Sequence, residues 1–302
     1  LDGAVRSVSG AITIAETARD AGYTTVYLPA QNAPQATLVT GITIYGVLSL
    51  KELFLHLKKE AALTPVEAQI PEASRESGNS PLLDDIYGQE SAKRALIIAA
   101  AGHHNILLTG TPGAGKTMLA KTLVSLLQPL APHEKLEVTK LYSLAGECTK
   151  STIDQRPFRT PHHTSSQISL VGGGTRPKPG EISLAHLGVL FLDEIPEYPR
   201  SVLEALRQPL EDRTISVTRA SGRAIYPADF MLVATMNPCP CGYYGDPEHE
   251  CSCSLSQITS YQKRLSGPLL DRIDIIIPVT RIPNDELLKD SSSTNKQHLS
   301  AR

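Results

Sequence analysis

One stretch of eight residues constrains this sequence most, because it requires a strand before it and a helix after it. Residues 110–117 read GTPGAGKT, which fits the phosphate-binding pattern G-x-x-x-x-G-K-[ST]. The apolar run at 104–109 is typical of a strand, and residues 118–127 have the spacing of a helix. The sequence therefore predicts a strand, a glycine-rich turn and a helix, the context of a nucleotide-binding P-loop. A chance match is the alternative, and the flanking elements argue against it.

Each part of this motif has a chemical task toward a nucleotide. Glycines let backbone N–H groups approach phosphates closely, and the helix N-terminus adds the positive end of its dipole. Lys116 is expected to reach the β- and γ-phosphates of ATP, and the Thr117 hydroxyl is expected to bind Mg²⁺. The predicted nucleotide-binding residues of the motif are Gly110, Thr111, Pro112, Gly113, Ala114, Gly115, Lys116 and Thr117.

Composition narrows the class of protein. The chain has 302 residues, a formal net charge of −2 and 41% hydrophobic residues, which is ordinary for a folded protein. The near-neutral charge argues against a wholly basic nucleic-acid coat protein. No apolar run reaches membrane-spanning length and no signal peptide opens the chain, so we expect a cytoplasmic protein without a membrane partner. Its five cysteines predict reduced thiols or a metal site.

We predict an α/β protein made of two units and a linker. Residues 1–60 alternate helix and strand signals and form a small α/β unit. Residues 61–82 are polar and proline-containing, as a linker is, and residues 83–282 form the core around the P-loop, with a parallel sheet. Residues 283–302 are a polar tail. The start at Leu1 rather than at methionine leads us to expect a fragment that lacks sequence at both ends.

Two further apolar runs end in polar residues, as parallel strands do where they meet a ligand. Residues 188–192 run into Asp193, expected to complete the Mg²⁺ shell, and Glu194, expected to orient the attacking water. Residues 230–236 run into Asn237, which fits a sensor that hydrogen-bonds near that water. The alternative for Asn237 is a strand-end asparagine that caps a turn before proline.

A second metal site is predicted from cysteine spacing. The sequence carries C-x-C-x9-C-x-C, and four thiolates close together suit a structural Zn²⁺. The alternative is four reduced cysteines in a compact loop, with His249 as a possible substitute ligand. The four residues are Cys239, Cys241, Cys251 and Cys253.

Several stretches together resemble one family. The stretches GTPGAGKT, RPFRTPHHT, LVGGGTRPKPGEISLAHLGVLFLDE, ATMNPCPCGYYGDPEH and GPLLDRIDI are similar to those of magnesium-chelatase-like AAA+ ATPases of the ComM/YifB kind. The resemblance covers residues 1–282. It implies a bacterial, cytoplasmic ATPase that forms hexameric rings and drives branch migration of DNA. We expect the helical lid that normally follows, with its second sensor arginine, to lie outside this sequence.

The resemblance also gives roles to three further residues. Gly88 and Gln89 lie in a stretch that wraps the adenine in ring-forming AAA+ ATPases, although an ordinary helix start would look the same. Arg272 would be an arginine finger that reaches the γ-phosphate of the neighbouring subunit. The alternative for Arg272 is an ion pair with Asp271 or Asp274.

The N-terminal unit carries a resemblance of its own. Residues 10–29 resemble the end of a Lon-type protease domain, which is related to a ribosomal-protein-like fold. That domain uses a serine and a lysine, but residues 1–50 contain no lysine, and Ile12 or Ile14 falls near the expected position. Without that amine no side chain here can activate a serine. We therefore expect an inactive, Lon-like accessory domain.

Two basic segments are candidates for DNA contact. Residues 156–186 include Arg176 and Lys178, and in this family such an insertion forms a hairpin that lines the ring pore. Residues 214–225 alternate like two strands around a Ser-Gly turn, with Arg219 and Arg223 near the tip. Basic pore loops fit phosphate contacts with single-stranded or branched DNA, while solvated surface charge is the alternative.

The rival function is a AAA+ protein remodeller or a metal-chelatase-type ATPase subunit. A remodeller would normally show an aromatic or hydrophobic tip on its pore loop. Neither of the two candidate segments has such a tip.

Overall fold

The computed structural model describes residues 2–67, 82–148, 152–174, 177–219 and 222–281. Within these ranges, no helix is long and apolar enough to cross a membrane. The tail predicted at 283–302, most of the linker predicted at 61–82, and Arg176 lie outside the described residues.

The N-terminal unit contains three helices and a pair of parallel strands. Its elements are α1 (Ala11–Asp20), β1 (Thr25–Pro29), α2 (Ala33–Ala36), β2 (Thr43–Val47) and α3 (Leu50–Leu57). Helix α1 begins after Gly10, whose φ of 79° lies in the left-handed region that glycine adopts without strain. Val26 of β1 lies opposite Ile44 of β2; strand β1 packs on α1, and strand β2 packs on α2 and α3. The fully buried Ile12 of α1 belongs to the core of this unit.

The N-terminal unit extends beyond residue 60. Pro65 forms an isolated bridge with Tyr45, and the N–H of Val66 donates to the carbonyl of Ile44 at 2.9 Å. The Val66 side chain packs against the core of this unit. Val66 is apolar and lies beside the open edge of β2. This explains why this part of the predicted linker is folded.

The larger unit supplies the remaining strands and helices. Its strands are β3 (Ile106–Thr109), β4 (Phe158–Arg159), β5 (Gly172–Gly173), β6 (Lys178–Pro179), β7 (Val189–Leu192), β8 (Thr214–Arg219), β9 (Gly222–Pro227), β10 (Met231–Met236) and β11 (Ile275–Pro278). Its α-helices are α4 (Glu90–Gly102), α5 (Lys116–Leu126), α6 (Pro132–Ala145), α7 (Gln167–Val171), α8 (Glu181–Leu184), α9 (Arg200–Ala205), α10 (Arg207–Asp212), α11 (Leu255–Gln262) and α12 (Gly267–Leu270). Two 3-10 helices span Leu83–Asp85 and Ile195–Glu197.

A five-stranded parallel sheet forms the centre of the larger unit, in the order β11-β3-β10-β7-β4. This arrangement confirms the predicted α/β fold class with a parallel sheet. Alternate strand residues point to opposite faces. Leu107 and Leu190 belong to one apolar cluster, whereas Ile106 and Val189 belong to the other. All four residues of β7 are buried, as expected for a strand covered on both faces.

Strand order decides which side chains can meet at the edge of the sheet. Strand β10 lies between β3 and β7, with Met236 opposite Thr109 on one side and Ala234 opposite Leu192 on the other. Ligands bind outside the carboxyl ends of parallel strands. The segments that follow β3, β10 and β7 therefore converge at one edge, and the segment after β10 lies in the middle.

The N-terminal unit docks on helix α6 of the larger unit. The N–H of Gly10 donates to the carbonyl of Ser143 at 2.9 Å, and Glu16 forms an ion pair with Lys140. Leu136 of α6 packs against the apolar core of the N-terminal unit. The contact combines a backbone hydrogen bond, a charge pair and apolar burial.

Candidate functional site

The P-loop has the backbone conformation that its glycines permit. Gly113 and Gly115 have φ values of 77° and 86°, which a residue with a Cβ adopts only with strain. Gly110 has a different reason to be glycine, because a Cβ there would lie 2.1 Å from the carbonyl oxygen of Val279. The loop therefore turns sharply and lies directly against the chain after β11.

The ammonium group of Lys116 lies at the centre of the site. It donates to the carbonyls of Gly110 and Thr111 at 2.6 Å and 2.9 Å, and to Oδ1 of Asn237 at 3.0 Å. These three bonds use all three donors of an ammonium. Lys116 is only 8% exposed, so its charge is held inside the loop rather than in solvent.

The charge of Lys116 is balanced by two carboxylates. Burial lowers the pKa of Lys116, while the negative charges of Asp193 and Glu194 act in the opposite direction. A desolvated ammonium interacts with an anion more strongly than an ammonium in water does. The site is therefore suited to a polyanionic ligand such as the phosphates of a nucleotide.

The Thr117 hydroxyl and the Asp193 carboxylate face each other. Oγ1 of Thr117 lies 3.5 Å from Oδ2 of Asp193. The other carboxylate oxygen, Oδ1, accepts a hydrogen bond from the hydroxyl of Thr235 at 2.5 Å. Oxygen ligands of this kind are those that Mg²⁺ prefers. The structure thus brings together the two residues predicted as Mg²⁺ ligands.

Glu194 is held by the backbone and by two neighbours. Its φ of 51° lies in the left-handed region, which is uncommon for a residue with a side chain. Its N–H donates to the hydroxyl of Thr235 at 2.9 Å, and its Oε1 accepts from Nδ2 of Asn237 at 3.1 Å. Strained backbone of this kind is retained at functional sites when the surroundings determine it.

Thr235 belongs to the same site, although the sequence analysis does not predict it. Its side chain is fully buried and joins Asp193 to Glu194 through two hydrogen bonds. A signal for it exists, because residues two apart on a strand point to the same side. Thr235 precedes Asn237 by two positions, and a threonine in an otherwise apolar strand needs a polar partner.

Gly88 and Gln89 lie near the P-loop from another direction. Both have φ values of 58°, and the Gln89 side chain donates to the carbonyl of Thr280 at 2.5 Å. Ile86, just before them, packs in the same apolar cluster as Ala114 of the P-loop. This turn therefore borders the site, and its contact with adenine stays a prediction.

Arg272 makes an ion pair inside its own chain, but its partner is neither Asp271 nor Asp274. Its guanidinium pairs with Glu211 and donates to the carbonyl of Pro268. Asp274 instead pairs with His104 and accepts from the N–H of Asn105. Nε of Arg272 is buried without a hydrogen-bond partner. The role of Arg272 toward a neighbouring subunit stays a prediction.

The four predicted cysteines form one cluster. One sulfur atom from each of Cys239, Cys241, Cys251 and Cys253 lies within 4.8 Å of the others. His249, the possible substitute ligand, is engaged elsewhere, because it pairs with Asp246 and stacks on Tyr243. The predicted set of four sulfur ligands is therefore assembled without the histidine.

The candidate DNA-contacting residues lie on two hairpins. Strands β8 and β9 form the longer one, where Arg219 pairs with Gly222 and the side chain of Arg223 is exposed and donates to Ser216 at 2.8 Å. The insertion at 156–186 contains a shorter hairpin, β5 with β6, where Lys178 donates to the carbonyl of Ala145 at 3.3 Å. Contact of either hairpin with DNA stays a prediction.

The fold and the site together define a P-loop ATPase of the AAA+ class, built on a parallel sheet with a lysine, two acidic residues and an asparagine at one edge. A family model described as magnesium chelatase, subunit ChlI, matches residues 82–287. The chain belongs to this family.

Individual relatives agree with the predicted resemblance to ComM and YifB proteins and confirm it. The competence protein ComM of Haemophilus influenzae is 46% identical over 95% of this chain and 56% of that protein. YifB of Escherichia coli is 42% identical over 100% of this chain and 60% of that protein. An uncharacterized protein of Mycobacterium tuberculosis is 45% identical over 93% of this chain and 56% of its own length. The chain therefore spans little more than half the length of these curated relatives.

Proposed function

We propose that this chain is the ATP-hydrolysing part of a cytoplasmic AAA+ ring motor that acts on DNA. The observation that carries the ATPase assignment is one series of contacts, from Lys116 through the amide of Asn237 to the carboxylate of Glu194. These contacts support the proposal that Lys116 binds phosphate, Asn237 acts as a sensor and Glu194 positions the attacking water.

A magnesium ion fits the pair Thr117 and Asp193. Two neighbouring ligands of an octahedral Mg²⁺ lie about 3 Å apart, given metal–oxygen distances near 2.1 Å. The separation of 3.5 Å between the two side-chain oxygens is close to that value. Bound Mg²⁺ would neutralise charge on the β- and γ-phosphates. The hydrogen bond from Thr235 fixes the orientation of the Asp193 carboxylate for this task.

The proposed reaction is attack of water on the γ-phosphorus of ATP, with ADP as the leaving group. Glu194 orients the water, and Asn237 holds the Glu194 carboxylate at 3.1 Å while contacting Lys116 with its other end. Because both contacts come from one amide, movement of the lysine on phosphate binding is transmitted to the carboxylate.

Ring formation is proposed to complete the site. Arg272 would reach the γ-phosphate bound by the next copy of the chain, and its planar guanidinium suits phosphate oxygens. The pair with Glu211 must then be exchanged for the nucleotide, because one guanidinium cannot hold both in full. We propose a homo-oligomer, and a hexamer as its size.

DNA is the proposed substrate because both hairpins carry basic residues. Phosphate contacts by such residues bind single-stranded or branched DNA without reading its sequence. The resemblance to ComM and YifB proteins implies DNA as the substrate, and a similar relative is named a competence protein. The contacting residues would be Arg176, Lys178, Arg219 and Arg223.

The second candidate function is a metal-chelatase-type ATPase subunit. The family description, magnesium chelatase, favours it. The two functions share the ATPase site and differ in what stimulates it. A protein remodeller is the remaining alternative, and the described parts of both hairpins carry no aromatic residue at their ends.

Two further assignments complete the proposal. The N-terminal unit is proposed to be an inactive, Lon-like accessory domain, since the resemblance puts Ile12 or Ile14 where an active domain needs a lysine. The proposed cofactors are ATP and Mg²⁺, together with one Zn²⁺ at the four cysteines.

The experiment that tests the function compares DNA binding at two salt concentrations for the wild type and for Arg219→Gln/Arg223→Gln. The charge-neutralised variant is expected to bind single-stranded DNA more weakly and with a smaller salt dependence, because two phosphate contacts are lost. Its basal ATPase rate without DNA should match the wild type. Equal DNA affinity and equal salt dependence would contradict a DNA-binding hairpin.

A further inference from the structure

The cysteine cluster has the dimensions of a tetrahedral metal site. Four sulfur atoms at 2.3 Å from one Zn²⁺ lie about 3.8 Å from one another. The Sγ separations are 3.3 Å for Cys239–Cys241, 3.7 Å for Cys239–Cys251 and 3.6 Å for Cys241–Cys251. A disulfide requires about 2.05 Å, so none of these pairs is bonded. The Sγ of Cys253 lies within 4.8 Å of the other three, so the four sulfurs are close enough to bind one zinc ion together.

Backbone groups hold these sulfurs in place. The N–H of Cys241 points at Sγ of Cys253 at 3.4 Å, and the N–H of Tyr244 points at Sγ of Cys239 at 3.3 Å. Hydrogen bonds to ligand atoms stabilise their charged form and fix their orientation. The loop between the two cysteine pairs is ordered by Asp246, which accepts from the N–H groups of Glu248 and His249.

The cluster lies directly beside the nucleotide site. Cys239 is fully buried and follows Asn237 after a single proline. Gly242 packs on Pro112 of the P-loop so closely that a Cβ there would lie 2.6 Å from the proline Cγ. On the other side, Cys253 precedes Ser254, whose side chain caps helix α11.

We infer that one Zn²⁺ bound by Cys239, Cys241, Cys251 and Cys253 stabilises the conformation of the ATP site. The affinity for nucleotide then depends on whether the metal is bound. The metal connects the end of β10 to the start of α11 and keeps Gly242 in contact with Pro112. It thereby fixes Asn237, which touches Lys116 and Glu194. This inference rests on the proposed ATPase function, and it adds a structural metal that acts on the same site.

Metal content is the first test. Purified wild-type protein and Cys148→Ser should each carry one Zn²⁺ per chain, because Cys148 lies outside the cluster. Cys253→Ser should carry much less. Co²⁺ exchanged into the site should give sulfur-to-cobalt charge-transfer absorption in the wild type and lose it in Cys253→Ser. Absence of zinc from the wild type, with no cobalt absorption after exchange, overturns the inference.

The second test measures whether zinc binding affects nucleotide binding. A zinc-selective chelator, used with Mg²⁺ in excess, should weaken binding of a fluorescent ATP analogue by about tenfold, the effect of losing one well-placed contact. Re-addition of Zn²⁺ should restore binding. Cys148→Ser should respond to the chelator as the wild type does. Unchanged affinity after complete zinc removal, with far-UV circular dichroism unchanged, overturns the coupling.

A variant with all four ligands intact separates metal binding from coupling. Gly242→Ala keeps the cysteines but adds a Cβ at a φ of 89° and against Pro112. It should retain zinc and bind the ATP analogue about tenfold more weakly. Wild-type affinity in this variant contradicts the proposed path through Pro112. If zinc-loaded wild type binds nucleotide but never hydrolyses it, the ATPase assignment fails while the metal-dependent binding stands.

Discussion

Asn237 donates a hydrogen bond to the carboxylate of Glu194 over 3.1 Å, although the two residues end different strands. The contact exists because β10 and β7 are neighbours in the sheet, with Val233 opposite Phe191. Since the other end of the same amide accepts from Lys116, we expect Asn237 to link phosphate binding to water positioning. This link is the basis of the first two predictions.

Substitutions at Lys116 and at Glu194 should affect nucleotide binding and hydrolysis separately. Lys116→Ala removes the ammonium and should weaken ATP binding by about a hundredfold or more. Glu194→Gln keeps a side chain of the same shape and should bind ATP normally, while its kcat falls by about 10²–10⁴-fold. Equilibrium binding of a fluorescent ATP analogue and phosphate release measure the two effects. Equal ATP affinity in the wild type and Lys116→Ala would contradict the assignment.

Asn237→Ala should lower kcat much more than it raises KM. Removing the amide leaves the Glu194 carboxylate without its donor, and losses of about 10²–10³-fold are typical when one such donor is removed. Asn237→Gln serves as the comparison, because it keeps the amide but misplaces it by one carbon. Steady-state ATPase kinetics check the result. A KM increase with unchanged kcat would show that Asn237 only binds substrate.

Arg272 is expected to act on the neighbouring subunit. Arg272→Ala and Lys116→Ala should each be inactive alone, with losses of about 10³-fold or more for the finger. Mixed rings should regain part of the activity at interfaces that pair an intact P-loop with an intact arginine. Glu211→Gln frees the guanidinium from its pair inside the chain and should keep or raise the rate.

Suppose that Arg272→Ala protein still forms rings and hydrolyses ATP at the wild-type rate. That result would contradict an arginine finger that acts on the neighbouring subunit. The ion pair between Arg272 and Glu211 would then contribute to folding alone. Thermal unfolding of Arg272→Ala and Glu211→Gln would show this contribution.

The N-terminal unit is expected to have no peptidase activity. The resemblance requires a lysine near Ile12 or Ile14, and neither side chain is an amine. Ile12 is fully buried in the core of this unit, and Ile14 is exposed. Incubation of the purified protein with an unfolded substrate protein and ATP should give no cleavage. Proteolysis that a serine-directed inhibitor blocks would overturn this assignment.

The sequence predicts those residues of the candidate site whose signal is local. Residues 110–117 carry a fixed motif, and Asp193, Glu194 and Asn237 each follow a buried apolar run that the structure shows as a strand. Pairings between distant segments could not be predicted, because they depend on how strands and helices pack in three dimensions. The contact of Arg272 with Glu211 is one example.

Asn105 is another example of a role that only the three-dimensional structure reveals. Its side-chain oxygen accepts from the N–H of Leu232 at 2.8 Å, and its side-chain nitrogen donates to the carbonyl of Arg272 at 2.9 Å. One side chain thus joins the starts of three neighbouring strands and helps to fix the position of Arg272. Nothing in the local sequence distinguishes this asparagine from one in a turn.

The measurement that tests the central claim most directly is the ATPase rate of the purified protein with and without DNA. The rate is compared at saturating ATP and Mg²⁺ in the absence of DNA, with single-stranded DNA and with a branched DNA junction, and Glu194→Gln provides the background. We predict clear stimulation by DNA that falls as salt is raised, because phosphate contacts are screened. An ATPase rate that neither DNA changes, in protein that hydrolyses ATP and forms rings, would contradict a DNA motor.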